Sequence, residues 1–142
     1  MRKSVKDAIK TSLSDVTQLK FIGTFRPKIQ NEFPACVISL PRADEKRASA
    51  SAPIGKKRIT YTAQLEIFTM DVTNDGSGAL DFDDLLDAVD LALRKDVTLG
   101  GAVLSSTIEY IRTSVSNPQL VNGQTVALLA IKQFDVTVEV IG

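Results

Sequence analysis

Large apolar side chains recur near the start of the chain at Val5, Ile9, Leu13 and Val16, at spacings of four, four and three. That spacing marks one face of an amphipathic helix and predicts a helix over residues 2 to 20. Lys3, Lys6 and Lys10 fall on a different stripe and read as a solvated face, while Gly23 and Pro27 end the pattern. The short apolar run Phe33-Pro34-Ala35-Cys36-Val37-Ile38-Ser39-Leu40 suits a buried strand with Pro34 at its start. The cleanest alternation follows from Arg58 to Met70. Ile59, Tyr61, Ala63, Leu65 and Ile67 interleave with Arg58, Thr60, Thr62, Gln64 and Glu66, the period of a strand with one face in the core and one in water.

Asp71 to Gly78 reads as a turn, after which Asp81 can cap a helix over residues 82 to 95 with Phe82, Leu85, Leu86, Val89 and Leu93 inward. Asp83, Asp87, Asp90 and Arg94 form a second stripe on that helix, mostly negative, in which Asp90 and Arg94 can pair. Gly100 and Gly101 permit a sharp exit. Residues 103 to 115 and 125 to 141 read as two more strands, an antiparallel pair with the turn chemistry of Asn117-Pro118 and Asn122-Gly123 between them. Lys132 interrupts the apolar face of the second, a natural place for a bulge. Because strands and helices do not alternate in a sustained way, the expected class is α+β. An antiparallel or mixed sheet would carry about two helices packed on one face.

The 142 residues suit a single domain, and 44% apolar against 24% charged residues is the balance of a chain that folds. Seventeen basic residues offset seventeen acidic ones, so any electrostatic role is local. Residues 42 to 57 hold few large apolar side chains and read as a long, flexible, basic loop. Arg42, Lys46, Arg47, Lys56, Lys57 and Arg58 there outnumber Asp44 and Glu45, so the segment can meet an acidic surface or a nucleic acid.

Chemistry for catalysis is thin. The chain has no histidine, which removes the commonest general base near neutral pH and the commonest metal ligand, and it is read as not an enzyme, with no cofactor. Cys36 is the single cysteine, in an apolar run where an inert core thiol is expected. Asp71-Val72-Thr73-Asn74-Asp75-Gly76-Ser77-Gly78 begins like a calcium loop, but Phe82 stands where the twelfth-position carboxylate belongs. Gly55-Lys56-Lys57 lacks the upstream glycine and the hydroxyl of a phosphate-binding loop. The charged opening Met1 to Asp7 is not followed by the apolar stretch of a signal peptide, and no run has the length of a membrane span, so an intracellular soluble product is expected.

Three segments carry a resemblance. They are the opening helix followed by Phe33-Pro34-Ala35-Cys36-Val37-Ile38, the strand Arg58 to Ile67, and Asp84-Leu85-Leu86-Asp87-Ala88-Val89 through Asp96-Val97-Thr98-Leu99-Gly100-Gly101. In their order and spacing the whole chain resembles the tail terminator and minor tail protein families of long-tailed bacteriophages. The resemblance implies an α+β virion subunit, made in the host cytoplasm, that forms a hexameric ring on the tail tube. There it would touch the tail tube protein and the head-tail connector or neck protein, with DNA only as cargo through the lumen and no membrane partner. It also directs attention to the basic segment as a ring or tube contact; basic residues of this segment or of the first helix are expected to meet the Asp83, Asp87 and Asp90 stripe across a subunit boundary. A head-completion or neck adaptor of the same virion, and a cellular ligand-binding module, are the alternatives.

Overall fold

The computed structural model describes residues 1–25, 32–47, 56–71, 77–122 and 125–141. The fold is α+β. Helix α1 (Arg2–Leu13) leads into β1 (Phe21–Gly23), β2 (Ala35–Arg47) and β3 (Lys56–Asp71). Helix α2 (Ser77–Arg94) is followed by β4 (Ser105–Ser106), a 3-10 turn (Ile108–Tyr110), β5 (Arg112–Val115), β6 (Gln119–Asn122) and β7 (Thr125–Ile141). Among the described residues seven strands make one mixed sheet in the order β1-β2-β3-β7, with β4, β5 and β6 all on the far edge of β7. Only β1 and β2 run parallel.

The central pair sets the geometry. β3 and β7 pair antiparallel from Lys56 opposite Ile141 to Asp71 opposite Val126 without a slip. Their alternation sends Ile59, Tyr61, Ala63, Leu65 and Ile67 of β3, with Leu128, Ala130, Phe134, Val136 and Val138 of β7, to one face. There they meet Val5, Ile9 and Leu13 of α1 and Phe82, Leu85, Leu86, Val89 and Leu93 of α2 in a single core. The opposite face has no covering layer among the described residues and is stitched by directly opposed polar pairs: Thr60 with Thr137 at 3.0 Å, Thr62 with Asp135 at 3.1 Å, and Gln133 donating to Gln64 at 2.9 Å.

Helix α1 is fastened along its N-terminal half. The Arg2 guanidinium lies 5.2 Å from the centre of the Tyr61 ring and donates to the Leu40 carbonyl, while Lys6 donates to the Thr24 carbonyl. The helix stops at Leu13, short of the expected residue 20. Ser14 folds its hydroxyl back onto the Thr11 carbonyl at 2.6 Å, and tighter turns then carry Val16 and Leu19 into the core. Helix α2 starts five residues earlier than expected, so Asp81 lies within it and caps nothing. Gly78 makes that early start possible: a Cβ there would overlap the side chain of the buried Asp71. The exit from α2 is the sharp one that the glycines predict. Leu99, Gly100 and Gly101 all have positive φ, and Asp96 holds the turn by accepting from the Thr98 hydroxyl at 2.7 Å and the Gly100 N–H at 2.8 Å.

Two expectations on β strands are corrected. The bulge lies in β2, between Ser39 and Arg42 and beside the exposed Pro41, and the β7 register runs unbroken through Lys132. Residues 103 to 115 do not form one strand. Thr107 uses its hydroxyl to accept from the Asp135 N–H, and the chain turns so that Ile108 fills the core, splitting the segment into β4, the 3-10 turn and β5. The whole ribbon nevertheless lies antiparallel on β7, as the turn residues imply.

Lys132 is carried by the unbroken register into the core face, where 1% of its side chain is exposed. Its ammonium lies 2.8 Å from Asp90 Oδ1 and donates to Thr113 Oγ1 at 2.9 Å. Asp90 Oδ1 is sealed from water and accepts no well-aligned hydrogen bond, so the contact is an ion pair held by charge. It ties α2 to β7 and β5 at one point. Removing one partner of such a pair strands the other. Lys132→Ala is expected to cost roughly 2–4 kcal/mol, below the full range for a buried pair because a fifth of the Asp90 side chain still meets water. Lys132→Met combined with Asp90→Leu is expected to return to within about 1 kcal/mol of the parent protein. Denaturant unfolding of the three proteins checks both, and a double variant as unstable as the single one would assign the loss to packing instead of charge.

Candidate interaction surfaces

The expected basic loop is for the most part a strand pair. Arg42–Arg47 belong to β2 and Lys56–Arg58 to β3, paired from Arg42 opposite Thr62 to Arg47 opposite Lys57. Residues 48–55, including Gly55, lie outside the described residues. The charged run reads as a loop because an edge strand with little to bury lacks an apolar period. The backbone ladder along β3 holds it extended all the same.

Pairing also spends much of the positive charge within the chain. Lys56 lies 2.9 Å and Arg58 3.4 Å from the Glu139 carboxylate of β7, Lys57 lies 3.9 Å from Glu45, and Arg42 3.2 Å from Asp44. Among the described residues Lys46 and Arg47 make no ion pair, so they are the cations of this arm left for an outside partner. The hydrogen bond from Lys56 does most to lower the Glu139 carboxyl below its ordinary value, with further help from the charge of Lys56 and from Arg58.

The acidic stripe on α2 divides. Asp90 turns inward to Lys132 and leaves the candidate contact surface, and it pairs there instead of with Arg94. Asp83 and Asp87 are exposed and make no ion pair among the described residues. Since Asp90 reaches Lys132 and Lys132 reaches Thr113, this flank of α2 looks toward β5. The acidic flank and the basic arm therefore sit far apart. Lys56 begins β3, Gly78 of α2 packs on Asp71 at the end of β3, and Asp90 lies at the level of Leu65 through its contact with Lys132. Asp83 and Asp87 lie between those two levels, roughly 30 Å or more along the strands from Lys56.

Sequence reasoning missed an apolar surface. Tyr110, Val115, Leu120 and Val121 are 79%, 59%, 65% and 55% exposed, all on the outer ribbon of the sheet. In the sequence Val115 and Leu120 are indistinguishable from core, because only the absence of a helix over β5 and β6 leaves them bare. Cys36 has the predicted character: it is buried, and burial pushes its thiol up to about 12. No group of three or more residues that could hold a metal ion occurs among the described residues, and residues 72–76 of the calcium-like segment lie outside them. No helix among the described residues is long and apolar enough to cross a membrane.

No protein-family model matches the chain, and no curated protein matches it. A solved structure whose name states no activity is similar over 96% of this chain and 95% of its own, with a TM-score of 0.52 at 15% identity. At that identity the likeness concerns the fold alone.

The lowered Glu139 carboxyl has a definite sign. Its cross-strand pairs add stability above the ordinary carboxylate value of 4.5, and that stability is lost as pH falls through the lowered folded value. A carboxyl NMR titration is expected to place the Glu139 midpoint below 4.5, and Lys56→Met is expected to move it upward. An unmoved midpoint would remove Lys56 as the cause.

Proposed function

We propose that the chain is a structural subunit of a long-tailed phage, a tail terminator that assembles as a ring on the end of the tail tube and joins the tail to the head connector. The reading rests on the resemblance in three segments spread over most of the chain, and the α+β fold agrees with it. The observation that carries it furthest is the placement of opposite charges at opposite ends of the sheet. The Lys46 and Arg47 cations stand at the hairpin end and the Asp83 and Asp87 carboxylates toward the other. A subunit with complementary, separated patches favours head-to-tail contact, and such contact closes into a ring when the rotation allows. The basic arm of one copy would meet the acidic flank of α2 in the next, and the tube protein and connector would take the two faces of the ring. DNA would pass through the lumen as cargo.

Negative-stain electron microscopy of the protein, alone and mixed with the tail tube protein of the same genome, tests this. Rings of about six subunits or tubes capped at one end are expected. The charge reversals Lys46→Glu and Arg47→Glu remove no member of the intrachain pairs and are expected to abolish rings formed at low salt. Monomers that leave tube ends bare would overturn the terminator reading and favour a neck adaptor that binds the portal side. Rings indifferent to the reversals and to salt would remove the basic arm from the contact.

A further inference from the structure

The two free edges of the sheet differ in chemistry. β1 covers β2 only from Ala35 to Val37, so the rest of β2 is an edge. That edge is guarded by the bulge beside Pro41 and by charge from Arg42 through Arg47, the devices that keep a strand from pairing with another chain. The other edge has little such protection. Arg112, at the start of β5, is the one charged residue of these two strands, and Pro118 lies in the jog between β5 and β6 and not within either strand.

That edge also offers hydrogen bonds and a place for side chains. The Ser116 N–H bonds to the Leu129 carbonyl, and in an antiparallel ladder inward bonds recur at every second residue. The peptide groups of Thr113 and Val115 therefore point outward, unpaired by β7. Val115 and Leu120 lie opposite Ala130 and Val126, on the same side of the sheet as the helices but beyond their cover. Asp83 and Asp87 share a stripe of α2 with Asp90, which reaches β5 through Lys132 and Thr113, so the exposed carboxylates fall on the flank of the helix toward this strip.

We propose that the β5–β6 edge is a strand-addition site for an extended segment of a partner protein that carries lysine or arginine among apolar side chains. The segment's backbone pairs with Thr113 and Val115, its apolar side chains cover Val115 and Leu120, and its cations meet Asp83 and Asp87. The acidic wall selects the sign of the partner and disfavours a second copy of this same edge, whose own carboxylates would be brought up against it. The proposal does not depend on the tail reading; it concerns a different edge from the basic arm, but it calls on the same Asp83 and Asp87, so the segment and the basic arm of a neighbouring copy would compete for them.

The test uses the whole protein and two capped peptides, one alternating valine with lysine and one alternating valine with glutamate. The lysine peptide is expected to bind and to slow hydrogen exchange at the Thr113 and Val115 amides, while the glutamate peptide does not bind. Val115→Pro removes an outward donor without touching the inward ladder and is expected to weaken binding about tenfold or more. Val115→Lys, which keeps every backbone group, is expected to weaken the lysine peptide similarly and serves if the proline variant fails to fold. Asp83→Asn with Asp87→Asn is expected to remove the preference for the lysine peptide. The proposal is overturned by no binding, by equal binding of both peptides, or by protection away from Thr113 and Val115. Concentration-dependent protection of those amides in the free protein would give the edge to a second copy and overturn it as well.

Discussion

The antiparallel ladder between β3 and β7 is the constraint on which the other elements hang. It is long, central and unslipped, and both of its strands place apolar residues at every second position. With a period of two, one register alone puts Tyr61, Leu65 and Phe134 together on the face that the helices cover, and a slip of one residue would turn one strand's apolar set toward the bare face. Every other strand attaches to one side of this pair directly or through a neighbour: β2 on β3, β1 on β2, and the outer ribbon on β7. Helices α1 and α2 have a single apolar surface on which to pack, and it is the one this register builds.

Lys132 shows what that register demands of the sequence. An unbroken alternation delivers a lysine to the core between Ala130 and Phe134, and the chain answers with Asp90 on α2 and Thr113 on β5 instead of a bulge that would expel it. Apolar residues of the same size would give as much stability. What the ion pair adds is position: α2 can satisfy the ammonium only with Asp90 above Lys132, which fixes the helix along its axis. The acidic flank then falls beside the outer ribbon as a consequence, so a packing requirement in the core sets the electrostatics of a surface some distance away.

Strong periodicity made much of this fold legible. The faces of both helices, the alternation of β3 and the α+β class follow from apolar spacing, because burial of one face is what that spacing encodes. Where the reading failed, burial was not the deciding force. The stretch Arg42–Arg47 is a strand held by backbone pairing at an edge, where charged side chains are compatible with an extended chain and leave no apolar period. Thr107 and Ser14 redirect the backbone with hydroxyl groups, a local competition that apolar spacing does not register. Of the candidate contact residues, Asp90 was misread because a stripe on a helix does not reveal which neighbour holds a buried cation. The exposure of Val115 and Leu120 was not legible because it depends on how far the helices extend over the sheet.

The two edges of the sheet frame how this chain can meet others. An edge guarded by charge still has a use, since the cations that bar a like strand are free to meet an unlike surface; Lys46 and Arg47 have no partner within the described residues. An edge whose strands carry one charge, Arg112, beside bare valine and leucine has the opposite liability, because little in its own strands discourages pairing. The acidic flank of α2 beside it supplies the missing discrimination from outside the strand, by repelling anionic segments and attracting cationic ones. On the proposed reading the chain separates two tasks that many edges combine: the backbone edge offers generic hydrogen bonds, and a helix pinned by a buried lysine decides which chain is allowed to take them.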